Sequence, residues 1–191
     1  MAVLSDKDIR KRIESNSIEF EPSPNLKEQL GPASLDLKLG EKVRELANRF
    51  KGPINPRDKN TIEGSTELTE IRKFFFLQKD DVILAETQEL IRMPNDLCAN
   101  VEGRSSLGRL FLGIHSTAGF VDPGFEGRIT LELKNDGNRP VILFPGMRIC
   151  QIIFKTMNSE PEVSYGDKSN SKYQNDKGPA ESKIYKDFEE N

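Results

Sequence analysis

Apolar residues along this chain alternate with polar ones far more often than they cluster. From Arg128 to Lys134 the side chains switch face at each step: Arg128, Thr130, Glu132 and Lys134 on one side, Ile129, Leu131 and Leu133 on the other. A period of two is the pattern of a half-buried strand. Residues 33–39, "ASLDLKL", alternate in the same way, with Leu35, Leu37 and Leu39 inward. Comparable runs predict strands over 71–77, 81–86, 98–103, 111–118, 127–134, 139–144 and 148–155. "PND" at 94, "DPG" at 122, "NDGN" at 135 and "PG" at 145 supply turns between them. Many short strands at close spacing predict an all-β sandwich, jelly roll or barrel. Residues 5–15 break the pattern and predict a short helix. Ser5 caps it, Asp8 completes an S-x-x-D box, and Ile9 and Ile13 share one face. Residues 51–68, rich in Gly, Pro, Asn and charge, predict a surface loop.

Beyond about Pro161 few residues are fit for a core. Two compatible expectations follow: a terminus disordered without ligand, and a tail that orders over a ligand through Tyr165, Lys172 and Tyr173. The chain is therefore expected to divide into a β domain with its N-terminal helix, 1–163, and a flexible C-terminal tail, 164–191.

The length, 191 residues, suits one such domain. A formal charge of −3 argues against a nucleic acid as main partner, while leaving small anionic ligands open. The start, "MAVLSDKDIRKRIES", has no apolar stretch of a secretory signal, and no run approaches a membrane span. Cys98 and Cys150 have no CxxC spacing and read as reduced thiols of a cytoplasmic protein. His115 is the single histidine, and no HxE or PCxxC element occurs, so no zinc site is expected. A base deaminase built from this chain would work without zinc-bound water.

The densest polar constellation is "GRSSLGR", Gly103 to Arg109. Arginine forks and hydroxyls suit phosphate oxygens, and glycine lets backbone approach them. A solvated basic turn is the plain alternative, and the Walker pattern is absent. Two carboxylates lie within thirty residues, in "VDPG" and "ITLEL". From the strand pattern alone, Glu132 faces either bulk water or a pocket.

"GRSSLGR", "HSTAGFVDPGFEGRITLEL", "PGMRICQIIF" and "YGDKSNSKYQ…KGP", with "GPASLDLKLG" near residue 31, resemble the dCTP deaminases of the trimeric dUTPase superfamily. The likeness covers roughly residues 5–180. It implies a distorted β jelly roll and homotrimers whose active sites are shared between subunits. It makes Glu132 the acid/base of deamination. One carboxylate in reach of water, N3 and the leaving amine can carry the protons in turn, contributing typically about 10²–10⁴-fold. Asp122 matches an aspartate near the sugar and an attacking water, besides starting its turn. Arg104, Ser105 and Ser106, with Leu107 and Gly108 in the same loop, match residues holding phosphates. Arg109 matches an arginine that reaches the reaction site across a subunit boundary. The backbone at Thr130 and Leu131 is implied to read the pyrimidine edge. Gln151, Tyr165 and Lys172 match nucleotide-binding positions. The position four beyond Lys172, often Gln in the family, is Asp176, with a Gln at 174. His115 matches a pocket residue tied to feedback by dTTP, and Cys150 reads as a small buried thiol.

The family contains enzymes that stop at dUTP and enzymes that go on to dUMP and diphosphate. Monofunctional relatives tend to read "TAHRIDPGW"; this chain reads "STAGFVDPGF", with Gly119 in place of a histidine and Phe125 in place of tryptophan. Space beside Asp122 for a water in line with the α-phosphorus favours the bifunctional reaction, with Mg²⁺ carried by the triphosphate and no protein-bound metal. A monofunctional dCTP deaminase is the alternative. A dUTPase alone, or a catalytically silent nucleotide-binding trimer, stands behind it.

Overall fold

The computed structural model describes residues 2–189. Its first element, α1 (Asp6–Glu14), starts where Ser5 accepts a hydrogen bond from the Asp8 N–H, and it buries Ile9. Then follow β1 (Glu19–Glu21), α2 (Leu26–Gln29), β2 (Leu35–Leu46), α3 (Lys59–Gly64), β3 (Thr66–Glu70), β4 (Phe75–Leu77) and β5 (Val82–Arg92). The second half holds β6 (Leu97–Gly103), α4 (Ser105–Gly108), β7 (Leu112–Gly113), β8 (Phe120–Val121), β9 (Glu126–Asn135), β10 (Val141–Leu143) and β11 (Arg148–Thr156), before a 3₁₀ turn at Ile184–Phe188.

Among the described residues, nine strands join one curled antiparallel sheet in the order β7-β9-β5-β2-β11-β6-β8, with β1 on β5 and β3 on β2. A separate ribbon pairs β4 with β10. The all-β expectation therefore holds. The core forms where the alternating faces meet. Leu35, Leu37 and Leu39 of β2, Leu131 and Leu133 of β9, and Ile152 and Phe154 of β11 are all wholly buried.

Several expected elements differ from what the chain forms; the strands expected at 33–39 and 81–86 run on to Leu46 and Arg92. The surface loop expected at 51–68 contains α3, because Asp58 accepts from the Asn60 N–H and Ile62 is buried, and its last residues enter β3. The strand expected at 71–77 is confined to 75–77, since 66–70 already pairs with β2. The strand expected at 111–118 stops at Gly113. There the chain leaves the sheet, and the Ser116 N–H turns toward β9 to reach Glu132.

Strand β9 has β5 along one edge, and β7 covers only Asn135 and Lys134 on the other. The start of that edge, Glu126 to Arg128, carries residues of the tail. Asp176 bridges Gly127 in parallel, and its carbonyl accepts from the Arg128 N–H at 2.8 Å. The Ala180 N–H donates to Thr130 Oγ1 at 3.0 Å, and Arg44 holds Glu181 at 2.6 Å.

Between Glu86 and Leu90, β5 shifts register against β9 and gathers polar groups inside. Glu89 accepts from Gln29 Nε2 at 2.8 Å and from the Lys38 N–H at 2.9 Å. Arg128 stitches this bulge to β9, donating to the carbonyls of Thr87 and Gln88. Glu86 Oε2 is buried without a hydrogen-bond partner among the described residues. Burial pushes the Glu86 carboxyl above its ordinary 4.5, against the pull of Arg128 and Lys42. The folded state then binds this proton more tightly than the unfolded chain does. The stability this gives is present below the ordinary value of 4.5 and is lost as pH rises from there through the raised value of the folded state. Glu86→Gln should therefore raise the melting temperature at pH 8, and the gain should shrink as pH falls toward 4.5. Thermal melts across that range check both sign and trend.

Candidate active site

Glu132 stands on the polar face of β9, opposite Leu84 of β5, while its neighbours Leu131 and Leu133 are wholly buried. The core face thus aims the carboxylate outward, into a cavity of about 470 Å³. The cavity wall also carries His115, Asp122, Thr130, Tyr165 and Asp176, all expected at the site. Phe120, Phe125, Ile129 and Leu84 add apolar surface suited to a flat ring.

The Glu132 carboxylate is oriented by the 114–119 loop of its own chain. Its Oε2 accepts from the Ser116 N–H at 2.9 Å and lies 3.4 Å from His115 Nδ1. The second contact is within ion-pair reach without hydrogen-bond geometry, and neither ring nitrogen of His115 has a hydrogen-bond partner among the described residues. Among the described residues the other oxygen of Glu132 has no hydrogen-bond partner, and the residue lines the cavity.

Asp122 opens a turn in which its carbonyl accepts from the Phe125 N–H at 3.2 Å, and Gly124 takes the left-handed conformation, φ 76°, that such a turn requires. Burial pushes the Asp122 carboxyl above its ordinary value, and Lys168 draws it partly back. A second cavity of about 440 Å³ shares Asp122, Phe120, Tyr165 and Tyr173 with the first, and adds Lys168, Ser171 and Lys172. A pocket of mixed polarity and a basic pocket thus meet at one aspartate. Lys172 is engaged by Asp187 at 2.6 Å.

The remaining expected residues lie apart from this cavity within the chain. Arg104 is held by Asp36 at 3.1 Å and donates to the Arg148 carbonyl. Gln151 accepts from Ser34 and donates to the Gly103 carbonyl. Leu107 is buried beneath α4, whereas Ser105, Ser106, Gly108 and Arg109 are exposed on it. The Leu131 side chain belongs to the core, so only its backbone is available to a ligand. Cys150 is buried, as expected of a packing thiol.

Sequence reasoning missed Asp36, Lys168 and the apolar wall. Asp36 carried a faint signal as the acid between leucines in "SLDLKL"; Lys168 looks like any tail lysine. The structure also refines the Gly119 argument. A Cβ there would lie 2.8 Å from the Val101 carbonyl oxygen and 3.1 Å from the His115 ring. Glycine therefore lets this loop close on β6, where the Val101 N–H donates to the Gly119 carbonyl at 2.7 Å. The room it leaves lies beside His115.

A family model described as dCTP deaminase-like matches residues 3–157. A protein of Methanosphaera stadtmanae named dCTP deaminase, dUMP-forming, is 45% identical, the match covering 99% of this chain and 97% of that one. A protein of Natronomonas pharaonis named dCTP deaminase is 42% identical, with 98% and 97% covered. The crystal structure of 2'-deoxycytidine 5'-triphosphate deaminase from Agrobacterium tumefaciens superposes with a TM-score of 0.65 at 25% identity. That match covers 81% of this chain and 46% of the other, so this chain spans less than half of it. The fold and the matched residues define a nucleotide-processing β protein; the chain belongs to the dCTP deaminase-like family.

The contact at Gly119 is with backbone, which cannot swing aside. Gly119→Ala should lower stability by about 1–3 kcal/mol and shift the melting midpoint accordingly. An unchanged melt would mean that the 114–119 loop moves freely off β6.

Proposed function

We infer that the chain is a bifunctional hydrolase converting dCTP and two waters to dUMP, ammonia and diphosphate. The observation that carries this reading is that Glu132 and Asp122 line one cavity with room and apolar wall for a pyrimidine. The dUMP-forming name of a relative alike over almost its whole length supports the second step.

In the first step Glu132 takes a proton from water as the oxygen adds to C4 of cytosine, and passes it to N3. A second proton, from the new hydroxyl, reaches the amino nitrogen by the same carboxylate. The C4–N4 bond then breaks, ammonia leaves and the uracil carbonyl forms. Thr130 and the free edge of β9 supply backbone groups for the pyrimidine edge. In the second step Asp122 orients a water toward the α-phosphorus, and the bond to the β-phosphate oxygen breaks. Burial raises its pKa above the ordinary aspartate value, so acidification should slow this step as the carboxylate loses its charge. Lys168, whose charge acts on Asp122, and Lys172, paired with Asp187, line the cavity that Asp122 shares and suit the departing diphosphate.

Among the described residues no group of three His, Cys, Asp or Glu is placed to hold a metal. Mg²⁺ enters this reading with the triphosphate, where it would offset charge on the phosphates. The separation of Ser105, Ser106, Arg109 and Gln151 from the Glu132 cavity supports a homotrimer in which a neighbouring subunit completes each site. His115 lies beside Glu132, and Ser116 holds it. A ligand that shifts this loop would remove the Glu132 hydrogen bond, which supports His115 as the element through which dTTP inhibits. Among the described residues no helix is long and apolar enough to cross a membrane. We place the enzyme in the cytoplasm, with free deoxynucleotides as its partners.

Incubating the protein with dCTP and Mg²⁺, and separating nucleotides by anion exchange, should yield dUMP with equal ammonia and diphosphate. Accumulating dUTP would instead support the monofunctional alternative. Glu132→Gln should abolish ammonia release by about 10²-fold or more while leaving the oligomer intact; retained turnover would sink its role. Asp122→Asn should leave deamination measurable and shift the product toward dUTP, and an undiminished dUMP yield would count against the water-orienting role.

A further inference from the structure

Asp176 poses an electrostatic problem for the function proposed above, on which this inference rests. It lines the Glu132 cavity together with Thr130, Tyr173 and Tyr165. Its backbone cannot withdraw: the carbonyl accepts from Arg128, and the residue bridges Gly127. A bare carboxylate fixed there would repel a triphosphate. Arg128, the nearest cation on β9, has turned its guanidinium to the Thr87 and Gln88 carbonyls. Arg44 is committed to Glu181 and to the Pro179 carbonyl.

Lys183 meets Asp176 with its Nζ 2.7 Å from Oδ1 and 3.0 Å from Oδ2. Both side chains are largely shielded, at 27% and 20% exposure, so the pair is less screened than one at the open surface. Lys183 is itself held. Its N–H donates to Tyr173 Oη at 3.2 Å, and its ammonium lies 5.3 Å from the Tyr173 ring centroid. Tyr173 lines both cavities. The segment from 176 to 183 thus leaves β9 at Asp176, crosses Thr130 through the Ala180 N–H, and returns to Asp176 through Lys183.

We propose that Lys183 is a positioning residue for nucleotide binding: it neutralises the Asp176 carboxylate and closes the tail into a strap, so that the cavity accepts an anionic nucleotide. Lys183 itself need not touch the substrate.

The test is steady-state kinetics with dCTP and Mg²⁺ on the full-length protein at low and high ionic strength, with thermal melts of every variant. Lys183→Ala should raise KM about tenfold, equivalent to about 1.4 kcal/mol, with kcat within about twofold by the same scale. The increase should shrink in high salt, because the repulsion it exposes is screened. Lys183→Arg should keep the wild-type KM. The double variant Asp176→Asn/Lys183→Ala should lose most of the increase, since the charge to be neutralised is gone. An unchanged KM in Lys183→Ala overturns the proposal. So does a double variant as poor as Lys183→Ala, which would make Lys183 a mechanical clip only. Wild-type protein inert toward dCTP would instead sink the underlying function, and this inference with it.

Discussion

Strand β9 is locked to β5 by the pairings Leu84 with Glu132 and Glu86 with Thr130, and the site depends on that register. Because side chains alternate, a slip by one residue would drive Thr130 and Glu132 into the core and bring Leu131 and Leu133 out. Burying each leucine contributes roughly 1.5–3 kcal/mol, so two of them alone make the slip costly. The same lock aims the Glu132 carboxylate into its cavity and within reach of the Ser116 N–H. It also leaves the far edge of β9 free for the tail, whose backbone meets Gly127 and Arg128.

A cavity suited to an anionic nucleotide is lined by four carboxylates, Glu132, Asp122, Asp176 and Glu181. Each has a different local partner. Glu132 has a backbone N–H, Asp122 has the field of Lys168, Asp176 has Lys183, and Glu181 has Arg44. These partners come from β2, the 114–119 loop and the tail, so the electrostatics of the pocket exist only when those segments meet. Among the described residues, the cations on Asp176 and Glu181 leave Asp122 and Glu132 as the cavity carboxylates without an ion pair to Lys or Arg, at the two places where the proposed chemistry needs them.

Much of the frame was legible along the chain. Alternation located the longer strands, the Ser5 box located α1, and the "DPG" turn formed where expected. The failures have local causes. Gly, Pro and Asn around residue 55 masked the Asp58 cap of α3. The run from 111 to 118 pairs as a strand only at Leu112 and Gly113, and beyond them the Ser116 N–H donates to the Glu132 side chain instead of to a ladder. Glycine at 119 looked like empty space beside Asp122, yet its neighbours are a carbonyl of β6 and the His115 ring.

The sequence by itself determined the class of fold, the face on which Glu132 lies and, through a long resemblance, the family. Those properties are carried by short-range periodicity and by residue identity. Only the tertiary structure decided which groups share a cavity. Glu132, Asp122 and Asp176 come from a strand, a turn and a tail, and Lys183 lies seven residues beyond its partner along a segment that forms no helix. Strand pairing and chain crossing bring such groups together, and neither is written in the spacing of residues along one segment.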